Sequence, residues 1–567
     1  MKKIISAGVI CLLVLSLILS DHLITAWAQS SPEGAMEVAE TVESSTLQAS
    51  GIDLDQIATE IFPDQKVVDV NISIDPDVYQ DMIANATAEE FVLADITYNG
   101  YTLKNIAIRP KGNSSLRDVA QSGDDRFSFK LDLDKYVTGQ NLFGLTRLNL
   151  NNIFSDPSYM AEYLGYEMLK SIDAPTPDTT YVALHINGAY FGLYLAVEEV
   201  DEAFLLTEFG NFDGELYKPD MGVGADLAYI SDNVADYTGI FPENDDRVTD
   251  DHFINLVKTI HGIVEAGGET SEYQLSAVMN VDSFLQYLAM STVTVHMDTI
   301  QSGMNHNYFL YYNTDTGLYE WVSWDLNMIF NGFPGSTLTD GEATAFLIDE
   351  PVIGKMSAYP LVQAVMTNPA YVEAYHGYLE DIVTGFLSDQ AIENTVMETY
   401  ALIDSYVRAD PSAFVAYDQF KESLFGTSSP TEDLSILSFA TMRVDNVLGQ
   451  LSGDIASTNE GQGNAGTGKG MGGGQGGQNG QMGPPPEGGD GKGMKPQQTM
   501  GENADGQAMA ADQRQKPMGG PRDEAVNKVT GPTGFAISQE EAILVGVGLL
   551  VMIASALVMW RRKSLRI

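Results

Sequence analysis

Strict alternation of apolar and polar residues marks three stretches early in the chain: KVVDVNISI at 66–74, FVLADITYNGYTLKNIAIRPKG at 91–112 and RFSFKLDLD at 126–134. A period of two sends successive side chains to opposite faces, so each stretch predicts strand with one buried side. Asn99-Gly100 divides the second stretch into a hairpin, because both residues tolerate the positive φ of a tight two-residue turn. Asn187-Gly188 does the same between TYVALHI (180–186) and YFGLYLAV (190–197), and the turn Thr314-Asp315-Thr316-Gly317 separates NYFLYYN (307–313) from LYEWVSWD (318–325). The helical period appears at 157–172, where Asp156 offers a cap and Pro157 suits the first turn, and again at 251–265, 281–290, 361–387, 389–408 and 434–451. Strands first and helices later predict an α+β fold of two lobes over residues 51–455, a strand-rich first lobe and a helical second lobe.

The two ends follow other patterns. Lys2 and Lys3, the apolar run ICLLVLSLIL and Ala26-Trp27-Ala28 predict a signal peptide over 1–28, followed by a polar leader at 29–50. Residues 456–535 are rich in Gly, Met and Gln and too poor in aromatic and branched side chains to offset their ordering entropy, which predicts a disordered linker. Residues 542–560 are long and apolar enough for one transmembrane helix, and the basic tail at 561–567 orients it with the main domain extracytoplasmic at the cell membrane.

Cys11, the only cysteine, falls inside the signal, so no disulfide, thiolate or Cys-ligated metal belongs to the expected mature chain. Chemistry is left to carboxylates, amides, hydroxyls and histidines, of which the whole sequence has seven. A net charge of −48, from 78 acidic and 30 basic residues, repels nucleic acid and attracts divalent cations.

Oxygen donors gather around the hairpin at 307–325. Folding about its turn brings Asn307 toward Asp325, with Asp298 and Asn305 just upstream, and hard oxygen donors of this kind suit Mg²⁺. Asx-turns and strand-end caps use the same residue types. Earlier, Arg109, Lys111, Gly112, Asn113, Ser114 and Ser115 connect one predicted strand to the next. Glycine-exposed amides, hydroxyls and flanking cations suit a phosphate-covering loop, and an ordinary polar turn has the same composition. Lys130 shares the polar face of its strand with Arg126, Ser128 and Asp132, opposite Phe127, Phe129, Leu131 and Leu133, and is placed to steady nucleotide phosphates. Glu162 or Glu167 is available to pair with it. Glu198, at the end of the 190–197 strand, is a further candidate for nucleotide contact.

In order, IRPKGNSS, SFKLDLD, DPSYMAEYLGYEML, INGAYFGLYLAVEEVDEAFL, HNYFLYYN and WVSWDLN resemble the CotH kinase family, named for spore coat protein H, across roughly 62–450. The resemblance implies an atypical, minimal protein-kinase-like fold that binds ATP and Mg²⁺ (or Mn²⁺) and phosphorylates protein serines. It implies Asp298 as the catalytic Asp, Asp325 as the metal-binding Asp of a Trp-Asp-Leu-Asp pattern and Asn307 as the Asn of an Asn-Tyr strand. Asn327 stands where that pattern has its second Asp, and Ala161 where an arginine is common. The function implied is an exported, membrane-anchored kinase acting on Ser/Thr of a surface or coat protein. A catalytically weakened pseudokinase serving as a surface binding or assembly module is the alternative. A calcium-stabilised adhesion domain, suggested by Glu243-Asn244-Asp245-Asp246, is a third.

Overall fold

Seven strands close into a barrel in the computed structural model, which describes residues 51–244, 250–267, 274–426 and 434–462. They are β1 (Val68–Ser73), β2 (Val92–Tyr98), β3 (Tyr101–Lys111), β4 (Ser128–Asp132), β5 (Arg147–Asn151), β6 (Thr179–Ile186) and β7 (Ala189–Glu198). Their order is β1-β2-β3-β4-β5-β7-β6, antiparallel throughout except where β1 meets β6 and closes the ring. The Asn-Gly turns form as expected, with φ of 47° and 86° at Asn99 and Gly100 and of 52° and 80° at Asn187 and Gly188. Alternation fills the barrel with Val70, Ile72, Ile96, Ile108, Phe129, Leu131 and Leu150. β6 and β7 are buried on both faces: Val182, Leu184 and Tyr194 join the barrel core, whereas Tyr181, Leu193 and Leu195 join the helical core.

The expected hairpin is β10 (Tyr308–Asn313) with β11 (Leu318–Ser323), in register from Tyr308↔Ser323 to Asn313↔Leu318. Two short strands extend it, β8 (Leu216–Pro219) and β9 (Ile240–Pro242), giving a four-stranded sheet in the order β11-β10-β8-β9. The helix Val281–Thr294 packs behind this sheet, and its Phe284 and Tyr287 rings lie 4.9 and 4.8 Å from Trp321. Its last carbonyls are held by Arg443, which is fully buried on the helix Ile436–Leu451 and donates to Thr292 O at 3.0 Å and Val293 O at 3.2 Å. A cation at a helix C-terminus opposes the helix dipole, so this contact also fixes where residues 295–307 begin.

Several boundaries differ from the pattern-based expectation. Gly112 leads into a helix, Ser114–Ser122, and not another strand, because Leu116 and Val119 bury one helical face and Gly123 closes it at φ 79°. The 157–172 helix begins at Ala161. Asp156 still caps it, accepting from Ala161 N at 2.8 Å, but residues 157–160 form a loop that includes Tyr159 at φ 58°. The 361–387 helix is two, Pro360–Met366 and Pro369–Thr384, since Pro369 lacks the N–H a continuous helix needs. Arg126, expected on the polar face, is 1% exposed. It pairs with Asp410 at 2.7 Å and donates to Asn152 O and Leu193 O, tying the barrel to the segment after the helix Asp389–Ala409.

Among the described residues no helix is long and apolar enough to cross a membrane. The expected signal, leader, spanning segment and basic tail, and all of the linker beyond residue 462, lie outside the described residues.

Candidate functional site

Strand register writes two polar rows onto the outside of the barrel. Arg109 pairs with Lys130, and Lys130 with Asn149, across β3, β4 and β5. One step along, Lys111 pairs with Ser128, and Lys111 Nζ donates to Asn151 Oδ1 at 3.0 Å. The four-stranded sheet supplies a facing row: Lys218 of β8 sits opposite Phe241 of β9, and the pairing of Leu310 with Tyr217 sets Phe309 beside Lys218 on the other side.

A cavity of about 450 Å³ lies between these surfaces. Arg109, Lys111, Gly112, Asn113 and Lys130 line it from the barrel, Lys218 and Phe241 from the sheet, and Asn307, Trp324 and Asp325 from the open end of the hairpin. Gly112 has φ 127°, and a Cβ there would stand 2.9 Å from Ser115 Oγ, so the tight turn from β3 into the helix requires glycine. Asn307 and Asp325 also hold left-handed backbone, at φ 65° and 56°, a conformation that Asn and Asp adopt more readily than other side chains.

The structure thus brings together seven of the candidates: Arg109, Lys111, Gly112, Asn113, Lys130, Asn307 and Asp325. Ser114, Ser115, Asn305 and Asp298 do not line the cavity, and neither does Glu198. Glu198 accepts a hydrogen bond from Asp178 N at 3.1 Å, and burial raises its pKa well above the carboxylate range. Its neighbour Glu199 lines the cavity in its place and meets Lys130 Nζ at 2.9 Å and Asn149 Nδ2 at 2.8 Å. Burial alone would raise the Glu199 pKa; the charges of Lys130, Lys218 and Lys111 hold it down at about 2. Lys130 therefore pairs with Glu199 and not with Glu162 or Glu167.

Glu162, in the first turn of the helix Ala161–Lys170, accepts from Asn151 Nδ2 with both oxygens at 2.9 Å. Burial first, and the Asp325 charge second, push its pKa up to about 8. Lys111 is displaced the other way, down to about 8, chiefly by burial and also by the Lys218 charge. The same helix braces the hairpin end: Tyr166 Oη accepts from Asp325 N at 3.2 Å, and Gly165 lets Leu326 approach to where a Cβ would be 2.9 Å away. Burial raises the Asp325 pKa, against the pull of Lys111. Its carboxylate makes no hydrogen bond or ion pair among the described residues.

Asp298 does not line the cavity but touches two residues that do, His306 and Asn307, and its side chain is 14% exposed. His306 Nε2 lies 3.0 Å from its Oδ1, Asn307 Nδ2 donates to its Oδ2 at 3.1 Å, and His306 Nδ1 lies 2.9 Å from Asn307 Oδ1. Burial opposes both charges, but the hydrogen bond and charge of His306 outweigh it and lower the Asp298 pKa, while Asp298 raises that of His306. Asp298 is thereby held as an anion that fixes Asn307. Asn327 is turned away and donates to Phe154 O at 3.3 Å.

Sequence reasoning missed Glu199, Lys218, His306, Phe241 and Trp324. Glu199 was recoverable from strand parity. Lys218 sits in the short segment LYKP, where a proline and four residues leave no alternation to read.

Three curated proteins are similar at low identity. The inner spore coat protein H of Bacillus subtilis is 22% identical over 273 residues, 47% of this chain and 70% of that protein. Two invasins of Rhizopus delemar, CotH3 and CotH2, are each 21% identical, over 60% and 62% of this chain; the alignments span 56% and 59% of their own lengths. The family described as CotH kinase protein matches residues 108–441, more than half of the sequence and a span that holds nearly all of the cavity lining, and the chain belongs to that family.

Proposed function

We propose that this protein is a kinase-like phosphotransferase that uses ATP and Mg²⁺ to phosphorylate Ser or Thr hydroxyls of a surface or coat protein. One observation carries the reading: a single cavity joins the glycine turn, a lysine-bearing strand face, and Asn307 with Asp325. In this reading the barrel acts as the strand-rich lobe of a kinase and the helices as its second lobe. The signal over 1–28 and the span at 542–560 present the domain outside the membrane.

Among the described residues no three His, Cys, Asp or Glu side chains gather as a metal-binding group. That fits Mg²⁺, which keeps several waters and binds through one or two carboxylates together with substrate phosphates. Asp325, with its unengaged carboxylate, and Asn307, whose amide oxygen has a second lone pair, would hold it; Mn²⁺ takes the same donors. Bound there, the ion neutralises phosphate charge. Asn305 lies off the cavity and is left out of the set. Asp298, ionised and anchored by His306, orients the acceptor hydroxyl and receives its proton.

Thermal denaturation of the full-length chain with and without nucleotide tests the reading, since a ligand that binds only the folded state raises its melting temperature. Stabilisation by Mg–ATP is expected. No stabilisation by ATP with either Mg²⁺ or Mn²⁺ would favour the binding-module alternative, for which Asn327 in place of an aspartate is the supporting observation.

A further inference from the structure

Four arginine and lysine side chains line the cavity: Arg109, Lys111, Lys130 and Lys218. Two are matched by carboxylates, Arg109 by Glu89 and Lys130 by Glu199. Among the described residues the other two form no ion pair. Lys111 donates to the neutral amide of Asn151, and Lys218 contacts only ring faces, Phe309 at 5.1 Å and Trp324 at 5.4 Å. Lys111 lies 5.3 Å from the same Trp324 indole, so one ring organises both ammonium groups, immediately before Asp325 in sequence. Two partly desolvated cations side by side are costly unless an anion joins them. Carboxylates are abundant in this chain, and Glu199 and Asp325 line the same cavity and act on both charges, yet among the described residues none closes to ion-pair distance with either ammonium. The arrangement reserves both charges for an anion that arrives from outside.

We propose that Lys111 and Lys218, one from each sheet, grip the terminal phosphates of the bound nucleotide, with Lys218 as a catalytic residue touching the transferred phosphoryl group and Lys130 as a positioning residue for Glu199. This rests on the kinase reading above and deepens it. In the transfer the bond from the γ-phosphorus to the bridging oxygen breaks as the bond to the acceptor oxygen forms, ADP leaves with the bonding pair, and the hydroxyl proton passes to Asp298. Lys111 and Lys218 compensate charge on the phosphate oxygens.

Titration calorimetry of the full-length protein with Mg–ATP and with AMP separates this role from a structural one. Lys218→Met and Lys111→Met are each expected to weaken ATP binding by about 10-fold or more, the usual weight of a charge-assisted contact, and to leave AMP binding unchanged. Lys218→Arg should restore most of the ATP affinity. Lys130→Met should weaken ATP and AMP binding alike. Unchanged ATP affinity in Lys218→Met, or equal losses for ATP and AMP, would overturn the proposal while leaving the kinase reading intact. A wild-type protein that binds neither nucleotide would overturn the kinase reading itself, and this inference with it.

Discussion

Lys130 Nζ reaches Glu199 Oε1 at 2.9 Å, although Glu198 is the residue that ends β7. Glu199 is 6% exposed and has three lysines acting on its charge, whereas Glu198 is buried on the opposite parity, where burial pushes its pKa up. Adjacent glutamates should therefore respond oppositely to the same substitution. Glu199→Gln leaves buried cations uncompensated and is expected to cost about 3 kcal/mol. Glu198→Gln keeps the shape and removes a charge that burial already disfavours, and should cost less than about 1 kcal/mol. Urea unfolding of the two variants at neutral pH measures the contrast, and equal losses would remove the electrostatic distinction between them.

Arg126 and Asp410 form the most deeply buried ion pair described, with side chains 1% and 0% exposed. Asp410 also accepts from Leu193 N at 2.9 Å, so one carboxylate satisfies a barrel backbone amide and a barrel cation together. Removing it strands a guanidinium inside the protein. Asp410→Ala is expected to destabilise the fold by about 3–5 kcal/mol, and Arg126→Met with Asp410→Ala by less than the sum of the single losses. A double-mutant cycle by chemical denaturation checks this; strict additivity would mean the pair is not coupled.

His306 and Asp298 impose a pH window. The folded-state pKa of His306 is raised, so its contribution is complete below the ordinary histidine value of about 6.5 and is lost as pH climbs through the raised value. The folded-state pKa of Asp298 is lowered, so its contribution is complete above the ordinary carboxylate value and is lost as pH falls through the lowered one. The pair therefore stabilises most between those limits, near pH 5 to 6. The stability difference between wild type and His306→Gln should peak there and shrink by about pH 9. A difference that stays flat across that range would contradict a protonated His306.

Much of this architecture was legible where local pattern and tertiary demand agree. The alternation of RFSFKLDLD placed Phe129 inside and Lys130 outside, and the Asn-Gly turns set the register of their hairpins, because one buried face fixes parity. β5, β8 and β9 were not legible: each is five residues or fewer, and the last two end on Pro219 and Pro242. They matter to the site, since β5 contributes Asn149 and Asn151, and β8 contributes Lys218. The choice of Glu198 over Glu199 failed for a related reason. A residue count finds the end of a strand but not the face on which its last side chain falls, and one position decides between a buried acid and a cavity carboxylate. Closure of the barrel by β1 on β6 depends on pairing across more than a hundred residues, which no local window contains.

Phosphate transfer from ATP should depend on the Asp325 carboxylate. The full-length wild-type chain, incubated with γ-labelled ATP and Mg²⁺, is expected to label protein Ser or Thr, and Asp325→Ala to lose that labelling by at least about 100-fold. Equal labelling of wild type and Asp325→Ala would contradict the assignment of this cavity as a phosphotransfer site.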